Sequence, residues 1–188
     1  MRIVAGQFRG TALAAVGKGD SAAHLRPTTD RIRESLFNVL QGGKFGNPIA
    51  GARVLDLFAG TGALGLEALS RGAESVCFVD DGRKSQNLIR QNIQITRSKA
   101  SCTLLGRDAA RLPANSDTPY DLVFLDPPYG KGLGLKALQS AVSGGWIAND
   151  ALIVFEENAP QIASEGFTLL DQRKYGDTHI TFLEFAGD

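Results

Sequence analysis

The rhythm of apolar and polar positions changes twice along this chain. Through the middle, short apolar runs alternate with longer stretches of helical periodicity. Residues 53–57, 75–79, 101–105, 121–125 and 151–155 are nearly continuous apolar runs of strand length. Between them, 63–71, 83–96 and 131–143 carry the spacing of helices. Strands covered on both faces read as unbroken apolar runs, so the alternation predicts an α/β fold of βαβ units with a doubly wound, mostly parallel sheet. Near the end, 167–170 and 179–185 are strand-like around Lys174-Tyr175-Gly176-Asp177, which predicts an antiparallel C-terminal hairpin closing the sheet edge. The front follows neither pattern. Residues 2–5 and 11–15 predict a small β-hairpin around Gln7-Phe8-Arg9-Gly10, and 17–24 is polar. A helix is predicted over 31–41, with Ile32, Leu36 and Leu40 on one face, Thr29 or Asp30 as its N-cap and Gly42-Gly43 at its end. The expected organisation is a hairpin-and-helix extension, 1–42, ahead of a domain at 43–188.

Composition adds boundaries rather than direction. A chain of 188 residues that is 43% apolar and 21% charged is ordinary for a soluble domain. A fold of this size buries roughly 70% of its unfolded surface. No run approaches the roughly 18 apolar residues of a membrane span, and residues 1–7 lack the apolar core of a signal peptide, so the cytoplasm is the expected compartment and no membrane partner is expected. Cys77 and Cys102 lie in apolar runs and read as two buried thiols rather than a disulfide. With His24 and His179 scattered, no metal-ligand spacing exists and no metal is expected. Net charge is zero, but residues 1–33 carry six basic residues against two acids, and 147–188 carry two against eight. A basic front and an acidic tail fit a polyanion bound on one side.

The first candidate site is the loop Val54-Leu55-Asp56-Leu57-Phe58-Ala59-Gly60-Thr61-Gly62-Ala63-Leu64-Gly65. Gly60, Gly62 and Gly65 satisfy G-x-G-x-x-G between a strand and a helix, and Asp80 ends the next strand, placed for a ribose hydroxyl pair. Those features alone allow a dinucleotide. Asp56 argues against one, because a carboxylate beside the loop repels a pyrophosphate that wants the bare positive end of the helix. It suits S-adenosylmethionine, which has an ammonium, a sulfonium, a ribose and an adenine but no phosphate. Asp56, Phe58, Ala59, Gly60, Thr61 and Gly62 then face the methionine part, Asp80 the ribose, and Asp108 the adenine amine. Each acid has a plainer role open to it. Asp80 and Asp108 can cap the helices that follow, and Asp56 can be a buried acid held by backbone amides.

The second candidate is Asp126-Pro127-Pro128-Tyr129, at the carboxyl end of the run 121–125. The carboxylate accepts hydrogen bonds, the prolines fix the backbone and leave carbonyls without competing N–H groups, and the tyrosine offers a flat face. That set suits a planar base held by its exocyclic amine. Such an amine is a weak nucleophile because its lone pair is delocalised into the ring. Acceptors on its two N–H groups, Asp126 and the Pro127 carbonyl, localise the pair as it attacks, while Tyr129 stacks on the base. Proximity and electrostatic preorganisation supply most of the rest. A paired base has to be flipped out to reach such a site. If 53–57 and 121–125 are the first and fourth strands, they are neighbours where the strand order reverses, and Asp56 and Asp126 line one crevice.

With both motifs, the chain resembles class I S-adenosylmethionine-dependent methyltransferases acting on base amines, and more narrowly the bacterial 16S ribosomal RNA guanine-N2 methyltransferase D family. The narrower resemblance is carried by the opening residues 1–10, by Arg26-Pro27-Thr28-Thr29-Asp30-Arg31 within residues 25–38, by residues 56–73, by Leu125-Asp126-Pro127-Pro128-Tyr129 and by Gly145-Trp146-Ile147. It implies a Rossmann-like methyltransferase sheet and methyl transfer to N2 of one guanine in 16S ribosomal RNA within a small-subunit particle. The basic N-terminal part would contact RNA through Arg26, Arg31 and Arg33, since arginine grips phosphate and stacks on bases. One departure stands out: the family usually has a glutamate after the second strand, where this chain has Asp80. The rival readings are a DNA adenine-N6 methyltransferase, disfavoured by the lack of a separate target-recognition domain, a nicotinamide-dependent oxidoreductase, disfavoured by Asp56, and a non-catalytic RNA-binding module.

Overall fold

The computed structural model describes residues 1–15 and 30–187. Helix α1 (Asp30–Gln41) precedes β1 (Arg53–Leu57), α2 (Ala63–Ser70), β2 (Ser75–Val79), α3 (Arg83–Ile95), β3 (Cys102–Leu105), β4 (Tyr120–Leu125), α4 (Leu133–Ser143), β5 (Ile147–Glu157), β6 (Phe167–Tyr175) and β7 (Thr178–Phe185). They build one seven-stranded sheet in the order β3-β2-β1-β4-β5-β7-β6. Strands β1 to β5 run parallel, and β7 pairs antiparallel with both β5 and β6. The doubly wound sheet and its antiparallel hairpin are therefore as the apolar pattern predicts.

The sheet is covered on both faces. On one, Leu36, Phe37 and Leu40 of α1, Leu66 and Leu69 of α2, and Ile89 and Ile93 of α3 pack with Val54, Phe78, Leu122 and Phe124. On the other, Ala137, Leu138 and Ala141 of α4 pack with Leu55, Leu57, Val123, Leu125 and Phe155. Ile3 and Leu13 join the first cluster, so the front of the chain shares the core of the sheet. The chain first winds outward through β1, β2 and β3, then crosses to β4 on the other side of β1. The β1/β4 pair is thus the point where the strand order reverses, the position at which α/β sheets bind ligands.

Two expectations need correction. The N-terminal hairpin forms but is shorter than 2–5 and 11–15: one antiparallel bridge joins Arg2 and Ala12, with the Ile3 N–H donating to the Thr11 carbonyl at 3.0 Å, the Gly10 N–H to the Ile3 carbonyl at 2.9 Å and the Leu13 N–H to the Met1 carbonyl at 3.1 Å. Beyond that pairing its backbone turns to α2. The Val4 and Ala5 N–H groups donate to the Glu67 carboxylate at 2.8 and 3.0 Å, and the Gln7 and Phe8 N–H groups donate to the Ser70 carbonyl and hydroxyl at 2.8 and 2.9 Å. Contact is so close that a Cβ on Gly6, whose φ is 81°, would lie 1.8 Å from the Ser70 carbonyl oxygen. Strand β5 is also longer than its apolar core, 151–155. Asp150, at φ 61°, and a register shift opposite Tyr120/Leu122 break the pattern that would have revealed its first residues. Cys77 and Cys102 are free thiols. The polar stretch 17–24 and Thr29 lie outside the described residues.

Candidate active site

The two sequence motifs leave adjacent strands at the same end of the sheet. Leu57 pairs with Leu125, and just beyond the ladder the Asp126 N–H donates to the Leu57 carbonyl at 3.4 Å. Residues 58–62 and 126–129 are therefore neighbours because their strands are.

Three residues of the glycine loop, Phe58, Gly60 and Gly62, have positive φ, at 60°, 58° and 78°. The glycines adopt that region freely, whereas it costs Phe58 about 1–2 kcal/mol. The surroundings impose it: Ala59 N–H donates to the Val79 carbonyl at 3.1 Å, Gly60 N–H to Asp80 Oδ2 at 2.9 Å, and Asn92 Nδ2 to the Thr61 carbonyl at 2.8 Å. Gly65 lets α2 press on the sheet; a Cβ there would stand 2.5 Å from Phe78 and 2.6 Å from Val76. Ala59, Gly60, Thr61 and Gly62 are buried and Phe58 is half-buried.

Asp56 sits beneath this loop, 1% exposed, with Oδ2 accepting the Gly65 N–H at 3.0 Å. Burial pushes its carboxyl up to about 8, opposed by the Gly65 hydrogen bond and reinforced by the charge of Asp80. One of the first N–H groups of α2 is thus already occupied from below by an acid, which leaves the helix end poorly suited to a pyrophosphate. Asp80 is half-buried and divides its oxygens between the Gly60 and Gly82 N–H groups, at 2.9 Å each. Burial raises its pKa, opposed by those two N–H groups and by the Ser85 hydroxyl. Each carboxylate oxygen has a further lone pair, so a ribose hydroxyl remains chemically compatible. Asp108 caps the one-turn helix Ala109–Arg111, accepting the Ala110 N–H at 2.9 Å. The capping roles of Asp80 and Asp108 and the amide-held role of Asp56 are thus real, whatever else these acids do.

On the other side of the switch, Asp126, Pro128 and Tyr129 are half-buried and Pro127 is buried. Tyr129 is not a loose surface ring. Its hydroxyl donates to Glu156 Oε1 at 2.6 Å and lies 3.3 Å from Thr178 Oγ1. Its phenol is pushed above the ordinary range by burial and then by the charge and hydrogen bond of Glu156. The next residue is held as well: Gly130 N–H donates to Glu157 Oε1 at 3.1 Å. Sequence reasoning missed Glu156, Glu157 and Thr178. The available signal was a pair of acids directly closing the apolar run 151–155, in a strand beside β4. It also missed Asn92, fully buried on α3, which holds Ala14 by both its N–H and its carbonyl as well as Thr61.

The three arginines expected at RNA separate. Arg31 is exposed on α1. Arg26 lies outside the described residues. Arg33 is 0% exposed, paired with Asp30 at 2.9 Å, bonded to the Arg2 carbonyl and 3.6 Å from Glu67. It shares the buried face of α1 with Leu36, Phe37 and Leu40, so it braces the front of the chain and is not available to a nucleic acid. Among the described residues no three His, Cys, Asp or Glu side chains gather to hold a metal ion, and no helix is long and apolar enough to cross a membrane.

A reversing parallel sheet whose switch point carries a strained glycine loop on one strand and Asp-Pro-Pro-Tyr on the next places the protein among the Rossmann-like methyltransferases. Its family is narrower. A family model described as Conserved hypothetical protein 95 matches residues 1–184, and the chain belongs to that family. It is 40% identical over 157 residues to ribosomal RNA small subunit methyltransferase D of Escherichia coli (strain K12), covering 83% of this chain and 74% of that one. The namesake from Haemophilus influenzae is 35% identical over 182 residues, covering 94% and 89%. YlbH of Bacillus subtilis is 37% identical over 195 residues, covering the whole of both chains. Among solved structures, that of yhhF from Escherichia coli superposes with a TM-score of 0.83 at 32% identity, covering 100% of this chain and 99% of that one.

Proposed function

We propose that the protein transfers a methyl group from S-adenosylmethionine to the exocyclic N2 of a guanine in small-subunit ribosomal RNA, acting on a ribosomal particle in the cytoplasm. The observation that carries the reading is the adjacency of the two loops, with Asp126 hydrogen-bonded to the last residue of β1. The names of the relatives in Escherichia coli and Haemophilus influenzae support ribosomal RNA as the acceptor.

When bound, S-adenosylmethionine supplies an electrophilic methyl on a sulfonium that leaves as a neutral thioether. Phe58 to Gly62 would form a backbone cradle for its methionine part, turned by the positive φ of Gly60 and Gly62; a Cβ on Gly62 would also crowd Phe78 and Ile89. Asp56, which burial keeps protonated near neutral pH, would give up its proton to become the partner of the ammonium, Asp80 would accept from the ribose, and Asp108 from the adenine amine. Across the switch, Asp126 and the Pro127 carbonyl accept from the two N2–H groups of guanine. Pro128 fixes the turn and Tyr129 covers the face of the base. Held this way, the N2 lone pair would be turned toward the donor methyl, and Asp126 would pass the proton that N2 sheds to water. Arg31, with Arg26, contacts the RNA backbone from the front of the chain.

Methyl transfer from labelled donor to small ribosomal subunits, free RNA and duplex DNA tests this reading. Label is expected in small-subunit RNA as N2-methylguanine. Label in duplex DNA as N6-methyladenine, with none in subunits, would overturn it.

A further inference from the structure

We infer that Glu156, together with Thr178, is a positioning residue that fixes the Tyr129 ring for stacking on the acceptor base. The inference rests on the reading of Tyr129 as the residue that covers that base. Tyr129 is anchored at one end by the backbone of its loop. At the other end its hydroxyl meets Glu156 at 2.6 Å and Thr178 at 3.3 Å. With both ends held, the long axis of the ring is set before any base arrives, and because a phenol O–H prefers the ring plane, its hydrogen bond to Glu156 also biases the orientation of that plane. Glu156 is 5% exposed and Thr178 6%, so the tether lies out of water, where a hydrogen bond to a carboxylate is stronger than at the surface.

The support itself is rigid. Glu156 belongs to β5, which pairs with β4 through Leu125↔Phe155 and with β7 through Glu156↔Ile180. The acid is therefore placed by an interior strand of the sheet. Its neighbour Glu157 holds the Gly130 N–H at 3.1 Å, so two consecutive residues of β5 pin two consecutive residues of the loop. Burial first, then the charge and hydrogen bond of Glu156, hold the phenol above its ordinary pKa, so it stays a donor throughout the neutral range. A base leaving its stack must meet an ordered partner, and a ring fixed beforehand lowers the ordering cost of that encounter. The effect belongs to the acceptor and not to the methyl donor.

The test is a double-mutant cycle on methyl transfer to small ribosomal subunits. Tyr129→Phe and Glu156→Ala are each expected to lower kcat/KM for the RNA about tenfold. If Glu156 acts through the phenol, the pair together also loses about tenfold and not a hundredfold. Glu156→Gln, which keeps an accepting oxygen and the volume, is expected to restore most of the loss. Affinity for S-adenosylhomocysteine should stay within about twofold in all variants. Additive losses, no rescue by glutamine, or a matching fall in S-adenosylhomocysteine affinity would each overturn the inference. Phenol titration of Tyr129 by NMR gives a reading independent of turnover: Glu156→Ala should lower its pKa, and an unchanged pKa would count against the tether. Should the unaltered protein methylate no RNA, the functional reading falls, and the titration still decides the tether.

Discussion

The two loops at the sheet's switch point are gripped through different groups. The glycine loop is held through its own backbone groups, which bond to Val79, Asp80 and Asn92. Positive φ at Phe58, Gly60 and Gly62, the close approach of Gly65 to Phe78, and Asp56 beneath α2 all arise within a dozen residues of one another along the chain or from the strand alongside. The Asp-Pro-Pro-Tyr loop is held by side chains from elsewhere. Glu156 and Thr178 grip Tyr129, and Glu157 grips Gly130, from 27 to 49 residues away. A donor of constant shape can be met by a fixed backbone. An acceptor base that arrives within a large RNA is better met by a ring and an acid whose geometry the sheet sets from behind.

This contrast breaks most sharply at Asp126. Asp126→Ala is expected to lower methyl transfer about 10²–10³-fold, as loss of one preorganised transition-state contact does, while S-adenosylhomocysteine binds as before. Normal turnover at saturating donor, with binding lost instead, would assign Asp126 to the wrong loop. On the glycine side, Gly65→Ala should cost about 1–3 kcal/mol of stability by overpacking, because its Cβ would press on Phe78, Val76 and the Asp56 carboxylate. Urea unfolding measures it, and an unchanged midpoint would show that α2 can lift from the sheet freely.

Asp56 gives a smaller, pH-dependent effect. Its carboxyl is raised from 3.8 to about 8 on folding, so the folded chain holds a proton that the unfolded chain has released between those values. The stabilisation is complete below about pH 4 and is lost as pH rises toward 8. Asp56→Asn should therefore flatten the decline in stability between pH 5 and 8 and leave the variant more stable above pH 8, by about 1–2 kcal/mol. Unfolding curves of both proteins across that range decide it; parallel profiles would mean that Asp56 is charged in the folded state. The smallest effect lies outside both loops. Arg31→Glu should weaken RNA binding and reduce its salt slope by about one to two, with stability changed by no more than about 0.5 kcal/mol. An unchanged salt slope would remove Arg31 from the RNA face.

The same contrast explains what could be read from the chain. Strands β1 and β2 match their apolar runs to the residue because both are buried on both faces, where past the first residue only Asp56 interrupts the pattern. The glycine loop was legible because its glycine spacing is local, whereas Asn92, which holds Thr61 from 31 residues away, was not. The N-terminal hairpin was legible too, but its anchorage was not: the Val4 and Ala5 N–H groups go to Glu67, some 63 residues on, and no local pattern records such a partner. Arg33 looked like part of a basic face, yet its burial depends on Glu67 and on the Arg2 carbonyl, neither of which is near it in sequence. Glu156 and Glu157 read as part of an acidic tail because the sheet pairing that carries them under Tyr129 has no local sign.

The central claim, that these two loops join methyl transfer to a guanine N2 of small-subunit ribosomal RNA, is tested most directly in cells. Modified bases in 16S ribosomal RNA would be mapped with the protein present, with it absent, and with Asp126→Ala in its place. The account predicts that one N2-methylguanine disappears in its absence, returns with the unaltered protein and fails to return with the variant. A 16S methylation pattern identical in all three would contradict it.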